Sequence, residues 1–154
     1  MTPRLNPAEA SPESYRAMMD LEMKVRALGL EPSLFELVKT RASQINGCAF
    51  CIHMHTRDAR ARGETEERLY LLDAWRESPL YSARERAALA WTEALTDLAG
   101  TGAPDADYDL AREQFSEEEL VQLTLLISTI NAWNLFGVGF RLVHPTAEAA
   151  ADAA

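Results

Sequence analysis

Apolar side chains recur every three or four residues along most of this chain, the spacing that places them on one face of an α-helix. The first such run, from Ser11 to Gly29, opens with serine and proline and stops at a glycine, as helices commonly do. A second run starts around Pro32 and reaches Ile45, followed by an Asn-Gly pair. No stretch alternates apolar and polar residues over the length of a strand. The pattern therefore predicts an all-α protein.

The remaining helices are predicted from the same signals: from the paired cysteines to Gly63, from Thr65 through Trp75, from Ser82 to Gly100, from Tyr108 to Phe115, and from Ser116 into a long apolar segment. Ser82 and Ser116 each begin the pattern Ser-x-x-Glu, a capping box in which serine and glutamate satisfy free amides at a helix start. We expect one domain over residues 1–146, a compact bundle of about six or seven helices, and a disordered tail over 147–154.

The long apolar segment runs from Leu120 to Phe140 without a charged residue, which is enough to span a bilayer. It also contains two glycines and several polar residues, Asn131 and Asn134 among them, which a single helix in lipid would leave without hydrogen-bond partners. The sequence favours a helix buried on most faces, inside the protein or inside an oligomer.

The net charge of −9 argues against binding to nucleic acid or to anionic membranes, because no cluster of Lys and Arg offsets it. The chain contains two cysteines three positions apart, which is no disulfide framework of a small secreted domain. The first ten residues lack the apolar segment of a signal peptide. We therefore expect a cytoplasmic protein.

The candidate chemistry lies in Cys48-x-x-Cys51-x-x-x-His55, directly after the break between the second and third predicted helices. Free amides and the positive end of the helix dipole stabilise a thiolate there. The two sulfurs share one face and can form a disulfide, and His55 lies one turn beyond Cys51, where an imidazole can accept the thiol proton. The spacing favours Cys51 as the activated thiol and Cys48 as its resolving partner, although thioredoxin-like pairs use the first cysteine.

Glu36 is the candidate for a carboxylate behind this histidine. If the second and third helices pack as an antiparallel hairpin, its side chain can approach His55 and raise the basicity of the imidazole. A structural alternative exists, because Ser33 and Glu36 themselves form the capping-box pattern at the start of the second helix.

The combined motif, Glu36 followed by the two cysteines and His55, closely resembles the alkylhydroperoxidase D family within the carboxymuconolactone decarboxylase-like superfamily. The resemblance extends from about Leu34 to Phe140 and includes the segments 41–47 (RASQING), 54–56 (MHT), 89–95 (LAWTEAL), 115–120 (FSEEEL) and 130–134 (INAWN).

The resemblance implies an all-helical trimer or hexamer that reduces hydroperoxides, or passes electrons to a peroxiredoxin partner, without an organic cofactor. It implies that Glu36, Cys48, Cys51 and His55 form a proton and electron relay that an external dithiol or protein re-reduces. The chain departs from well-studied members at Phe50, where they have a second histidine between the cysteines.

Other readings of these residues remain open. The cysteines and His55, with Glu36, can be read as a zinc or redox-sensing site, or the cysteines as buried structural residues. A non-redox reaction of the decarboxylase type is a third possibility. His53 is expected to be a partly exposed helix residue and His144 to face solvent. The tryptophans, Trp75, Trp91 and Trp133, are expected to lie in the core or in an interface.

Overall fold

The computed structural model describes residues 2–145, so the predicted tail over 147–154 lies outside the described part. Nine α-helices occur in this range: α1 (Pro7–Ala10), α2 (Pro12–Arg26), α3 (Pro32–Ile45), α4 (Ala49–Ala61), α5 (Glu66–Tyr70), α6 (Ala83–Thr96), α7 (Leu98–Thr101), α8 (Asp105–Gln114) and α9 (Glu117–Gly139). A single 3₁₀ turn, Leu72–Ala74, follows α5. No strand occurs among residues 2–145, and the predicted all-α fold is confirmed.

Helix α3 lies at the centre of the bundle, in contact with α4, α6 and α9. Every residue from 34 to 40 on this helix is buried, including Leu37 and Val38, which have no exposed surface. Helices α6 and α9 pack on it through Leu89, Leu123 and other fully buried residues. This central position explains why polar side chains of α3 end up inside the protein, where each needs a partner.

Helix α9 begins at the predicted capping box, with the side chains of Ser116 and Glu119 both bonded to backbone amides. By length and composition alone it could cross a membrane. Instead it packs against α2, α3, α4, α6 and α8, and buries one face against them. The opposite face is less buried than the sequence led us to expect, since Leu135 is 74% exposed.

The predicted helix from Thr65 through Trp75 is wrong in its second half, because α5 ends at Tyr70. The segment that follows forms a 3₁₀ turn and further tight turns, and side chains of another helix hold it. Arg86 donates to the carbonyl oxygens of Trp75, Arg76 and Ser78, and the Trp75 indole donates to Glu93. These partners come from α6, so the local sequence does not reveal them.

Three other helix boundaries differ from the sequence prediction. Helix α6 ends at Thr96 instead of Gly100, and the short α7 follows it. Helix α8 begins at Asp105, three residues before the predicted start at Tyr108. Helix α1 was not predicted; its single turn is too short for a periodic pattern to appear.

Candidate functional site

The turn between α3 and α4 places the two cysteines. Gly47 follows the end of α3 with φ +65°, a left-handed conformation that glycine adopts without strain. The Asn46 side chain donates to the side-chain oxygens of Asn131 and Asn134 on α9, at 2.7 and 2.9 Å. Asn134 in turn donates to the hydroxyl of Ser43, at 3.0 Å. These bonds fix the turn against α9 and account for the amides that interrupt its apolar sequence.

Cys48 and Cys51 are joined by a disulfide at the first turn of α4. Cys48 is the N-cap residue, and its sulfur accepts a hydrogen bond from the backbone N–H of Cys51 at 3.3 Å. Both residues are buried. The predicted pairing and its location at a helix start are therefore present, and the amide that meets the Cys48 sulfur is one that would stabilise a thiolate on it.

Gly137 allows α9 to pass directly over this disulfide. A Cβ atom on Gly137 would lie 2.5 Å from the Cys48 sulfur and 3.2 Å from the Cys51 sulfur. No side chain larger than hydrogen fits at such distances without a shift of the helix or of the disulfide. Helix α9 therefore covers the sulfurs on this side.

Glu36 and His55 meet in the interior, where the carboxylate Oε2 lies 2.9 Å from the imidazole Nδ1. Glu36 has no exposed surface and His55 is 2% exposed. The alternative reading of Glu36 as part of a capping box is wrong, because α3 starts at Pro32 and Glu31 is its N-cap. The second carboxylate oxygen of Glu36 lies 3.7 Å from the guanidinium of Arg62.

The environment of His55 favours the neutral imidazole. Burial lowers the pKa of His55 below its ordinary value, and the hydrogen bond to Glu36 offsets only part of this. The positive charge of Lys39 lowers the pKa of His55 further. With Nδ1–H donating to Glu36, a neutral His55 carries no proton on Nε2, so this nitrogen is free to accept one.

A cavity of about 350 Å³ opens beside these groups. Cys51 and His55 both contribute to its wall, whereas Cys48 does not. The other lining residues are mostly apolar or aromatic: Tyr15, Met19, Met23, Phe50, Met54, Trp133 and Leu142. Phe50, which stands where related proteins have a second histidine, is thus part of an apolar wall. Trp133 was expected in the core or in an interface and instead lines this cavity.

Three charged residues at the same cavity were not predicted as site residues: Glu22, Arg26 and Lys39. One oxygen of Glu22 accepts from the Lys39 ammonium at 2.5 Å and from Arg26 Nε at 2.8 Å. Lys39 is 1% exposed and its ammonium lies 4.5 Å from the centre of the Phe35 ring. The sequence shows that Lys39 stands among apolar neighbours, but it does not show that Glu22 on α2 is its partner.

Burial moves the pKa values of Lys39 and Glu22 in opposite directions. It lowers the pKa of Lys39, which the carboxylate of Glu22 partly restores. Burial raises the pKa of Glu22, but the two cations outweigh it and leave the Glu22 pKa below its ordinary value. The carboxylate of Glu22 thus lies between two basic side chains, Lys39 and Arg26.

The other candidate residues lie apart from this cavity. His53 is half-buried on α4, as expected, whereas His144 is half-buried instead of solvent-facing. Their rings stack with centroids 4.8 Å apart. Trp75 and Trp91 are buried in the core, as predicted. Among the described residues no three His, Cys, Asp or Glu side chains are grouped as metal ligands.

A larger groove, of about 830 Å³, runs between α6 and α9 and contains no ionisable side chain. The Cys51 sulfur and the His55 imidazole thus lie at the smaller cavity and not in this groove.

Comparison with known proteins identifies the family. The model of the carboxymuconolactone decarboxylase family matches residues 12–94, and the chain belongs to this family. An uncharacterized protein of Bacillus subtilis (strain 168), YdfG, is 44% identical over 138 residues, which cover 90% of this chain and 94% of YdfG. The family consists of enzymes, and its alkylhydroperoxidase D-like branch is the one that the motif resembles.

Solved structures agree with this assignment. A protein of unknown function from Agrobacterium tumefaciens, ATU0492, which has been suggested to be an antioxidant defence protein AhpD, superposes with a TM-score of 0.93. It is 48% identical, and the match covers 94% of this chain and 99% of that one. The debrominase Bmp8 has a TM-score of 0.78 at 18% identity, over 92% of this chain and 76% of Bmp8, and shares the fold.

Proposed function

We propose that the protein is a thiol-dependent peroxidase that reduces hydroperoxides through the Cys48–Cys51 pair. One observation carries the proposal: the sulfur of Cys51, which belongs to the disulfide, and a histidine backed by a buried carboxylate lie on the wall of one cavity. The similarity to ATU0492, with its suggested role in antioxidant defence, supports this choice among the reactions of the family.

The first step requires the reduced dithiol. His55 Nε2 accepts the proton of the Cys51 thiol, and the resulting thiolate attacks one oxygen of the hydroperoxide. A sulfur–oxygen bond forms while the oxygen–oxygen bond breaks. The departing alkoxide takes a proton from the His55 imidazolium and leaves as an alcohol, and Cys51 becomes a sulfenic acid. Glu36 accepts from Nδ1–H throughout and stabilises the imidazolium.

The second step returns the pair to the disulfide seen in the structure. The Cys48 sulfur attacks the Cys51 sulfur, a disulfide forms, and the sulfenic oxygen departs as water. Two electrons have then passed from the dithiol to the peroxide. An external dithiol or a reduced protein, such as a member of a peroxiredoxin system, restores the two thiols and is itself oxidised to a disulfide.

Counting thiols after one equivalent of a hydroperoxide tests this mechanism. Reduced wild type should lose two thiols together, and Cys48→Ser should hold a sulfenic acid at Cys51 that dimedone traps. Cys51→Ser should not consume the peroxide. If wild type keeps both thiols, the peroxidase proposal fails; if dimedone labels Cys48 in Cys51→Ser instead, the order of attack is reversed.

The same protein samples distinguish the other readings. Stoichiometric zinc on protein purified under reducing conditions would support a metal site in place of a peroxidase. A reaction of the decarboxylase type would survive the replacement of both cysteines by serine, because no step in it requires the sulfurs.

A further inference from the structure

The charged groups around the cavity differ in sign from the protein as a whole. The chain carries a net charge of −9. At the wall of the cavity, however, two basic residues, Lys39 and Arg26, stand against one carboxylate, Glu22. These charged residues come from α2 and α3 and leave one basic group in excess, and α9 contributes no charged residue there. Behind the wall, Glu36 is bonded to His55 and lies 3.7 Å from Arg62.

A contribution to folding stability does not explain why the Lys39–Glu22 pair is buried. Burying an ammonium and a carboxylate costs several kcal/mol of desolvation for each group, and well-packed apolar residues often serve as well or better. Lys39 is among the most deeply buried side chains of the protein, and one oxygen of Glu22 has no hydrogen-bond donor. A charge kept at this cost, beside a reactive sulfur, has its use in the chemistry of the cavity.

We propose that Lys39 is a positioning residue for Cys51: together with Arg26, it provides the positive potential that holds the reduced Cys51 as a thiolate. Glu22 neutralises only one of the two cations and fixes both in place, so one positive charge remains to balance the sulfur anion. The proposal rests on the proposed function in taking Cys51 as the reactive thiol.

The geometry permits this effect without contact between Lys39 and sulfur. Lys39, Cys51 and His55 line the same cavity, and its mostly apolar wall leaves little water to screen their charges. Across a mostly apolar cavity, one charge alters the pKa of another group by on the order of one pH unit. Burial lowers the pKa of His55, and the positive charge of Lys39 lowers it further, which favours an imidazole able to take the thiol proton.

The test uses the Cys48→Ser background, in which Cys51 is the remaining cysteine. The rate of alkylation by iodoacetamide is measured against pH, because only the thiolate reacts. Lys39→Met should lower the rate at neutral pH about tenfold and shift the midpoint of the profile to higher pH, while the plateau at high pH is unchanged. Lys39→Arg should keep the rate within about twofold, since the charge remains.

Two further variants keep the test decisive. Lys24→Met removes a charge from an exposed position of α2 and should leave the profile as it is. Arg26→Met removes the more exposed cation of the cluster and should shift the midpoint in the same direction as Lys39→Met, but by a smaller amount. If circular dichroism shows that Lys39→Met does not fold, Arg26→Met provides the test.

An unchanged midpoint in folded Lys39→Met or Arg26→Met overturns the proposal. A plateau that falls equally in Lys39→Met and Lys39→Arg also overturns it, since that pattern reports lost packing. Iodoacetamide requires no peroxide, so this result is independent of whether the protein proves to be a peroxidase.

Discussion

His55 is distinguished from the other two histidines of the chain by its separation from water. Its imidazole is fully enclosed and bonded to Glu36, whereas His53 and His144 are half-buried and stack on each other. Protonation of His55 in the folded protein would place a charge in the interior, which is why burial lowers its pKa. In the unfolded chain water surrounds the imidazole, so its protonation does not carry this cost.

This difference predicts a loss of stability in mild acid. The pKa of His55 is 6.5 in the unfolded reference and lower in the folded protein, so the unfolded state binds more protons as the pH falls through that window. Urea unfolding of wild type should show a lower free energy of unfolding at about pH 5.5 than at about pH 7.5. His55→Gln should lose most of this pH dependence, and His53→Gln should retain it. Equal slopes in all three proteins would show that His55 is protonated without cost.

Glu36 should matter for rate more than for binding. Glu36→Gln keeps the size of the side chain but removes the charge that stabilises the imidazolium. We expect disulfide formation after a hydroperoxide pulse to slow by about tenfold to a hundredfold, measured by stopped-flow tryptophan fluorescence. Glu93→Gln, which alters a carboxylate bonded to Trp75 and Arg41 on the other side of α3, is the control and should react at the wild-type rate. A normal rate in Glu36→Gln would remove this carboxylate from the mechanism.

Some of these site residues could be predicted from the sequence and others could not, for a physical reason. The spacing of Cys48, Cys51 and His55 within one helix fixes their relation, because the helix itself determines which side chains are neighbours. Glu36 could be proposed but not separated from a capping residue until the packing of α3 on α4 was known. Glu22 and Lys39 are separated by seventeen residues and meet only through the packing of α2 on α3.

The helix boundaries show that local signals can be predicted from the sequence, whereas contacts with distant parts of the chain cannot. Capping boxes at Ser82 and Ser116 are local, and the structure confirms both. The segment after α5 is bonded at Trp75 by Arg86 and Glu93 of another helix, and the sequence prediction for Thr65 through Trp75 was wrong in its second half. The role of Gly137 is also set by another part of the chain. In the sequence it is an interruption of an apolar helix, and only its close approach to the disulfide explains why a glycine is required there.

The close passage of α9 over the sulfurs predicts opposite effects at two glycines of one helix. Gly137→Ala places a methyl group 2.5 Å from the Cys48 sulfur and should lower the free energy of unfolding by about 1–3 kcal/mol. Gly139→Ala meets no atom within 4 Å and should be neutral or slightly stabilising, because alanine favours helix. Urea titrations of both variants with the disulfide intact provide the comparison. Equal stabilities would mean that α9 lies farther from the disulfide than the structure has it.

The outer face of α9 is the largest feature of the molecule that a single chain leaves unexplained. Val121 and Leu135 are 69% and 74% exposed, and the groove between α6 and α9 is lined by apolar and uncharged polar side chains. Such a surface is uncommon on a monomer and typical of an interface. The polar residues that argue against a membrane helix, Asn131 and Asn134, are bonded to α3 and its turn, so they place no restriction on this outer face.

We propose that this face joins copies of the chain into the trimer or hexamer that the family resemblance implies. Sedimentation velocity at micromolar concentration should show one oligomeric species for wild type, and Leu135→Glu should dissociate it, because a carboxylate would be buried without a partner. Tyr70→Glu is the matched control, since Tyr70 is also 74% exposed but lies on α5, away from α9. It should sediment as wild type does. Activity per chain should survive in Leu135→Glu, because Cys51, His55 and Glu36 all come from one chain. A monomeric wild type would contradict the proposal, and an oligomer that persists in Leu135→Glu would place the interface elsewhere.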